Sequence, residues 1–146
     1  EEGDYIAPVV LACMNMARKK TGALIAIQGT SDLTPYQHAG ERFLAAVNAR
    51  LIETIFFKNS PLHDGAMIIA GGKICAAGCI LPVASDTDLN KDLGLRHRSA
   101  LGLSQKTDAK IIIISEERGT ISLAYRSEII VDITPDELRA LLSSED

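Results

Sequence analysis

Ala66-Met67-Ile68-Ile69-Ala70-Gly71-Gly72-Lys73-Ile74-Cys75-Ala76-Ala77-Gly78-Cys79-Ile80-Leu81 is the stretch that decides the fold. Two apolar runs, 66–70 and 73–81, meet at a Gly-Gly pair. Paired glycines between such runs signal a hairpin, because tight strand-joining turns need positive φ. The runs are apolar almost throughout, so the strands are expected to be buried and to need cover.

Working toward the N-terminus, Leu44, Val47, Leu51, Ile52, Ile55 and Phe56 recur at helical spacing and predict a helix over about 47–57, with a start that could lie earlier. Residues 28–40 carry Gly29, Pro35 and Gly40 and read as loop. Ala23–Ile27 is a short apolar run and a buried strand. Residues 5–19 read as a helix, with Pro8 in its first turn and Arg18, Lys19 and Lys20 at its end. Toward the C-terminus, residues 83–95 are polar and irregular, and 96–106 read as a helix with Ala100, Leu101 and Leu103 inward. Lys110 and four Ile form a buried strand, and strands at 120–125 and 128–133 follow a turn at 117–119. Thr134-Pro135-Asp136-Glu137 is a capping-box pattern that opens a helix over 135–143. The sum is an α/β fold: one domain with a mixed central β-sheet flanked by helices.

The composition agrees. A chain of 146 residues suits one domain, and 47% hydrophobic residues with 4% aromatics and no Trp imply an aliphatic core. The formal charge of -4 argues against a general nucleic-acid binder, so any anion site must be local. Cys13, Cys75 and Cys79 form no CxxC pair, which suits a reducing compartment and no disulfide framework. They read as three buried small apolar residues. The apolar run Ile6–Met16 is about half the length that a membrane span needs.

Three polar clusters interrupt this apolar frame. In Ser60-Pro61-Leu62-His63-Asp64-Gly65-Ala66, Gly65 and Ala66 leave room for a ligand against the backbone. Asp64 can bind a metal or take a proton from a hydroxyl, and His63 can ligate or hydrogen-bond. The same residues also suit a plain helix-to-strand turn capped by Asp64. In Gly94-Leu95-Arg96-His97-Arg98-Ser99-Ala100, two arginines at a helix start offer forks and a dipole suited to phosphate, or else form a solvated turn. Ser115-Glu116-Glu117-Arg118-Gly119 follows a strand, where a hydroxyl can meet phosphate and a carboxylate a divalent cation; an ordinary charged turn is the alternative. No P-loop, dinucleotide fingerprint or zinc spacing is present. His38 stands alone in a loop, and Asp86, Asp88 and Asp92 lack EF-hand spacing. Bottom-up, the clusters suggest a metal–nucleotide site without naming a reaction.

These strings, in order and spacing, resemble the diadenylate cyclase domain. The carriers are Ser60–Ala66, Arg96-His97-Arg98, Thr107-Asp108-Ala109 and Ser115-Glu116-Glu117, supported by Ala76–Cys79, Leu81-Pro82 and Gly119–Ser122. The likeness runs from about Thr21 to Ala124 and is strongest to the membrane-tethered type. It implies residues 1–20 as a helix after a membrane anchor, 21–146 as the cyclase domain, and a parent at the cytoplasmic face of the cell membrane. It also implies synthesis of cyclic di-AMP from two ATP by a homodimer with a divalent metal, manganese or magnesium. By the resemblance Asp64, Arg96 and Arg98 are catalytic. Gly65, Ala66, Leu81, Arg96, His97, Arg98, Ser115 and Glu116 contact ATP, and His63, Asp64 and Glu117 reach the metal. A regulatory membrane protein and a sugar-phosphate mutase are implied partners.

This sequence departs from the family pattern at four positions. Leu95 stands where Thr is usual, Ile80 where an aromatic is common, Ala45 where Asp is frequent and Arg118 where Thr is usual. Two rival readings stay open: a nucleotide-binding regulatory module without turnover, and an interaction domain without a ligand.

Overall fold

In the computed structural model, which describes residues 5–85 and 93–144, helix α1 (Ile6–Lys19) buries Val9, Val10, Ala12, Cys13 and Met16. It stops at Lys20, whose left-handed backbone (φ 56°) returns its N–H to the Ala17 carbonyl. There follow β1 (Ala23–Ile27), a short helix α2 (Thr34–Gln37), β2 (Glu41–Ala46), α3 (Ala49–Phe56), β3 (Ala66–Ala70), β4 (Lys73–Cys79), α4 (Leu95–Lys106), β5 (Lys110–Ile114), β6 (Ile121–Tyr125), β7 (Glu128–Ile130) and α5 (Pro135–Ser143). Among the described residues the strands form one sheet in the order β2-β4-β3-β1-β5-β6-β7. Only the β1–β3 pair is parallel, so the sheet is mixed, as expected.

The alternation of the strands divides the core in two. Ile25, Met67, Ile69, Ile112 and Ile114 face α1, α3 and α5. Leu24, Ala26, Ile68, Ile111 and Ile113 face the other way, with Ala100 and Leu103 of α4 and Leu33 beside α2. Apart from Lys110, the central strands β3, β1 and β5 are apolar because both faces are covered. Trimming Ile112, which is fully buried, to Ala would cost about 2–5 kcal/mol. Thr134 and Glu137 exchange both bonds of the capping box at the start of α5.

Several boundaries differ from the sequence reading. The loop expected over 28–40 contains the short helix Thr34–Gln37, and Glu41–Ala46 is a strand, not an early start of the helix: it pairs with β4 (Glu41↔Ala77, Ala46↔Lys73) across a bulge between Arg42 and Ala45. Leu44 only shares the helical period with Val47 and Leu51 by chance and is 75% exposed. The helix waits for Asn48, whose side chain accepts the Leu51 N–H at 2.8 Å. β4 ends at Cys79 and β7 at Ile130. The cysteines are free, but Cys75 is only half-buried, because it stands on β4 beside the irregular edge strand β2. Burial pushes the Cys13 and Cys79 thiols up to about 12 and about 11, so both are inert. No described helix is long and apolar enough to cross a membrane. The start at residues 1–4 and the aspartates Asp86, Asp88 and Asp92 lie outside the described residues.

Candidate active site

Strand direction brings the three polar clusters to one end of the sheet. β1 runs parallel to β3 with Ile25 opposite Met67, and antiparallel to β5 with Ala23 opposite Ile114. β3 runs antiparallel to β4 with Ala66 opposite Cys79. The entrances of β1 at Gly22 and of β3 at Gly65 therefore lie beside the exits of β4 at Cys79 and of β5 at Ser115.

The approach of the Asp64 segment needs two glycines. Gly65 (φ 94°) and Gly78 (φ 66°) adopt backbone open to glycine, and a Cβ on Gly65 would lie 2.7 Å from the Gly78 carbonyl carbon. The chain at 64–66 thus passes directly against the end of β4. Ala66 is fully buried at the start of β3. The Asp64 side chain is 87% exposed.

The His63 ring has defined neighbours. Its Nδ1 lies 2.8 Å from the Ser60 carbonyl, which can only accept. In the neutral ring Nδ1 therefore carries the hydrogen, and Nε2 turns a lone pair toward Asp64 Oδ1 at 3.3 Å. Two acceptors facing each other at that distance suit adjacent ligands of one small divalent cation, whose bonds are about 2.0–2.2 Å. Among the described residues no three metal-ligating side chains cluster, so Glu117 is not gathered with this pair.

Arg96 links two of the strand ends. Its guanidinium lies across Gly22, in the space that a Cβ there would need, and its Nη1 meets Glu116 Oε1 at 3.5 Å. It leaves from the first turn of α4, where Gly94 caps the helix without a side-chain bond. The first N–H groups of α4 are then available to an anion. His97 is buried, and its pKa is lowered from the ordinary 6.5 by burial first, then by the charges of Arg118 and Arg96. It is neutral at pH 7, so the arginines supply the positive charge. The Arg98 carbonyl accepts the Ala84 N–H at 3.0 Å, which ties the segment after β4 to α4.

Ser115 Oγ accepts the Arg118 N–H at 3.1 Å, within the turn that leads into β6. Glu116 and Glu117 are exposed. Leu81 is buried among Ala100 and Leu103, whereas Ile80 is 74% exposed. Ile80, not Leu81, therefore presents apolar side-chain surface beside the site. His38 is exposed at the end of α2.

Two residues that the sequence reading passed over matter here. Gly22 gives Arg96 its seat, a tertiary contact with no local signal. Asp108, noted only as part of Thr107-Asp108-Ala109, accepts the backbone N–H groups of Thr30 and Ser31 at 2.8 Å each, and the Thr30 hydroxyl. It pins the loop after β1 at the opposite end of the sheet.

The chain matches the family described as DisA bacterial checkpoint controller nucleotide-binding (DAC) over residues 10–129. It is 38% identical over 145 residues to a "Diadenylate cyclase" of Listeria monocytogenes serotype 1/2a (strain 10403S), covering 99% of this chain and 53% of that protein. It is 37% identical over 140 residues to "Cyclic di-AMP synthase CdaA" of Bacillus subtilis (strain 168), covering 96% of this chain and 51% of that protein. The crystal structure of a double mutant of DacA from Staphylococcus aureus superposes with a TM-score of 0.93 at 38% identity, over 96% of this chain and 93% of that one. A "hypothetical membrane spanning protein" from Bacillus cereus gives 0.84 at 35% identity, over 88% of this chain and 63% of that one. The chain spans about half the length of the curated relatives it matches.

Proposed function

The chain belongs to the DAC family, and on that premise we propose that it is a diadenylate cyclase domain. It condenses two ATP into cyclic di-AMP and releases two pyrophosphates. The observation that carries this reading is the convergence of His63-Asp64-Gly65, Arg96 and Ser115-Glu116 at one sheet end, where registered strands and the Arg96–Gly22 contact join them.

Each half of the product needs one bond. A 3′-hydroxyl oxygen attacks the α-phosphorus of the other nucleotide, the bond to the pyrophosphate breaks, and the hydroxyl proton passes to Asp64 or through it to water. One Asp64 serves one hydroxyl, so two chains face to face supply both. An aspartate side chain that is 87% exposed fits this geometry, because a second protomer and its nucleotide would cover it. Gly65 lets the sugar-phosphate approach the backbone. Arg96, Arg98 and the first N–H groups of α4 neutralise and hold the phosphates, and the Ser115 hydroxyl adds a polar contact. His63 Nε2 and Asp64 would hold the divalent cation, manganese or magnesium, which when bound lowers the pKa of the attacking hydroxyl and offsets phosphate charge.

The same reading sets the longer parent at the cytoplasmic face of the membrane, with a regulatory membrane protein and a sugar-phosphate mutase as partners. For the membrane link the support is the likeness to CdaA and to the membrane spanning protein of B. cereus; the two partners rest on the family resemblance alone. The rival, a nucleotide-binding module without turnover, draws on Leu95, which is 62% exposed at the start of α4 and offers no hydroxyl. Incubation with ATP and manganese or magnesium, followed by mass analysis, separates them. Cyclic di-AMP supports the cyclase; ATP bound but unchanged supports the rival.

A further inference from the structure

Ser60 opens the turn that carries His63, and its side chain locks that turn from within. The Ser60 hydroxyl oxygen accepts the Leu62 N–H at 3.1 Å, a local bond by which serine fixes a turn. Its N–H donates to the carbonyl of Phe57, the residue after α3, at 2.8 Å. Its carbonyl accepts twice, from the His63 N–H at 3.3 Å and from His63 Nδ1 at 2.8 Å. Leu62 itself packs against the core beside α1 and α3. The turn is therefore held at both ends, and the Ser60 hydroxyl joins its middle to its start.

The neutral His63 ring has two forms, and the turn chooses between them. With the hydrogen on Nδ1, the ring donates to Ser60 and turns the Nε2 lone pair toward Asp64 Oδ1 at 3.3 Å. With the hydrogen on Nε2, it would donate to Asp64 instead. Histidine and aspartate would then satisfy each other, and the lone pair that a cation needs would be gone. The pair alone favours this second form, because a carboxylate is a stronger acceptor than a carbonyl. The first form depends on the Ser60 carbonyl staying where it is.

We infer that Ser60 is a positioning residue: its hydroxyl holds the 60–63 turn so that its own carbonyl keeps the hydrogen on His63 Nδ1, which leaves Nε2 and Asp64 as a ready pair for a divalent cation. This rests on the metal reading above. Ser60 acts through His63 and needs no contact with cation or nucleotide.

Two readouts on ATP-free protein test it: the His63 tautomer by long-range nitrogen–proton NMR without metal, and manganese affinity by electron paramagnetic resonance. The parent and Ser60→Thr, which keeps the hydroxyl, should carry the hydrogen on Nδ1 and bind manganese alike. Ser60→Ala and Ser60→Val, which lack the hydroxyl, should move the hydrogen toward Nε2 and weaken manganese binding about tenfold, as loss of support for a metal ligand does. Val matches Thr in shape, so an effect of bulk alone would appear in both. A parent with the hydrogen on Nε2 overturns the inference without any variant. An unchanged tautomer in the Ala variant also overturns it, whatever happens to the melting temperature, and so does a changed tautomer with unchanged manganese affinity. If the tautomers behave as expected but the parent binds no manganese, the metal reading falls, and this inference with it.

Discussion

The Arg96 guanidinium occupies the space beside Gly22 that a side chain there would fill. Gly22 is the last residue before β1 and Arg96 lies in the first turn of α4, so one missing methyl group lets a helix place its cation at a strand end. The obstacle to a Cβ at Gly22 is the far end of a flexible side chain, which can swing away.

Gly22→Ala should therefore fold normally and displace Arg96 from its seat and from Glu116. ATP affinity should fall toward that of Arg96→Ala, a loss of about 1.5–3 kcal/mol for a charged hydrogen bond. Calorimetry and a melting curve on both variants check this. A Gly22→Ala variant that binds ATP as the parent does would mean that Arg96 works from another position.

Asp108 should be a stability residue, not a site residue. Asp108→Ala leaves the N–H groups of Thr30 and Ser31 and the Thr30 hydroxyl without their acceptor. The expected cost is about 1–3 kcal/mol, moderated by partial solvent access, with ATP affinity kept in the folded protein. The Thr30 and Ser31 bonds hold the Asp108 carboxyl well below the usual carboxylate range. A lowered folded pKa gives stability that is complete above the unfolded value, near 3.9, and lost as pH falls below it. Urea unfolding should show that acid loss in the parent and a shallower one in Asp108→Ala.

His97 gives a second window at higher pH. Its folded pKa lies below the unfolded 6.5 because of burial, then Arg118 and Arg96. The unfolded chain takes up the proton first on acidification, so stability is full above about 6.5 and declines below it. Urea midpoints should fall between pH 7 and pH 5, and His97→Gln should flatten that slope. An equal slope in both proteins would assign the acid sensitivity elsewhere.

Much of this architecture is legible in the sequence where local chemistry decides it. Gly71-Gly72 announces the β3–β4 hairpin, Lys110 with four Ile the buried β5, and Thr134 with Glu137 the capped start of α5. β2 escapes notice because Leu44 happens to share a helical period with Val47 and Leu51, while its true signal, pairing with β4, is tertiary. Asp64, Arg96 and Ser115 stand out as polar interruptions of apolar runs. Their meeting at one sheet end depends on strand direction, which no local pattern carries. For the same reason Gly22 looks like an ordinary loop residue, and the inward turn of Leu81 and outward turn of Ile80 emerge only from packing.

If two chains face each other and one Asp64 serves each bond formed, mixed dimers will show it. Asp64→Asn keeps the side-chain size and removes the charge, so it should fold, bind ATP and alone make little product. Mixed in excess with unmodified chain, it puts most of the unmodified chains into hybrid pairs, each with one competent aspartate and two ATP molecules. Such pairs should form one phosphodiester bond and stall at a linear diadenylate that keeps its 5′-triphosphate, seen by chromatography with mass detection. Undiminished cyclic di-AMP with no linear intermediate, in a mixture shown to contain hybrids, would contradict it.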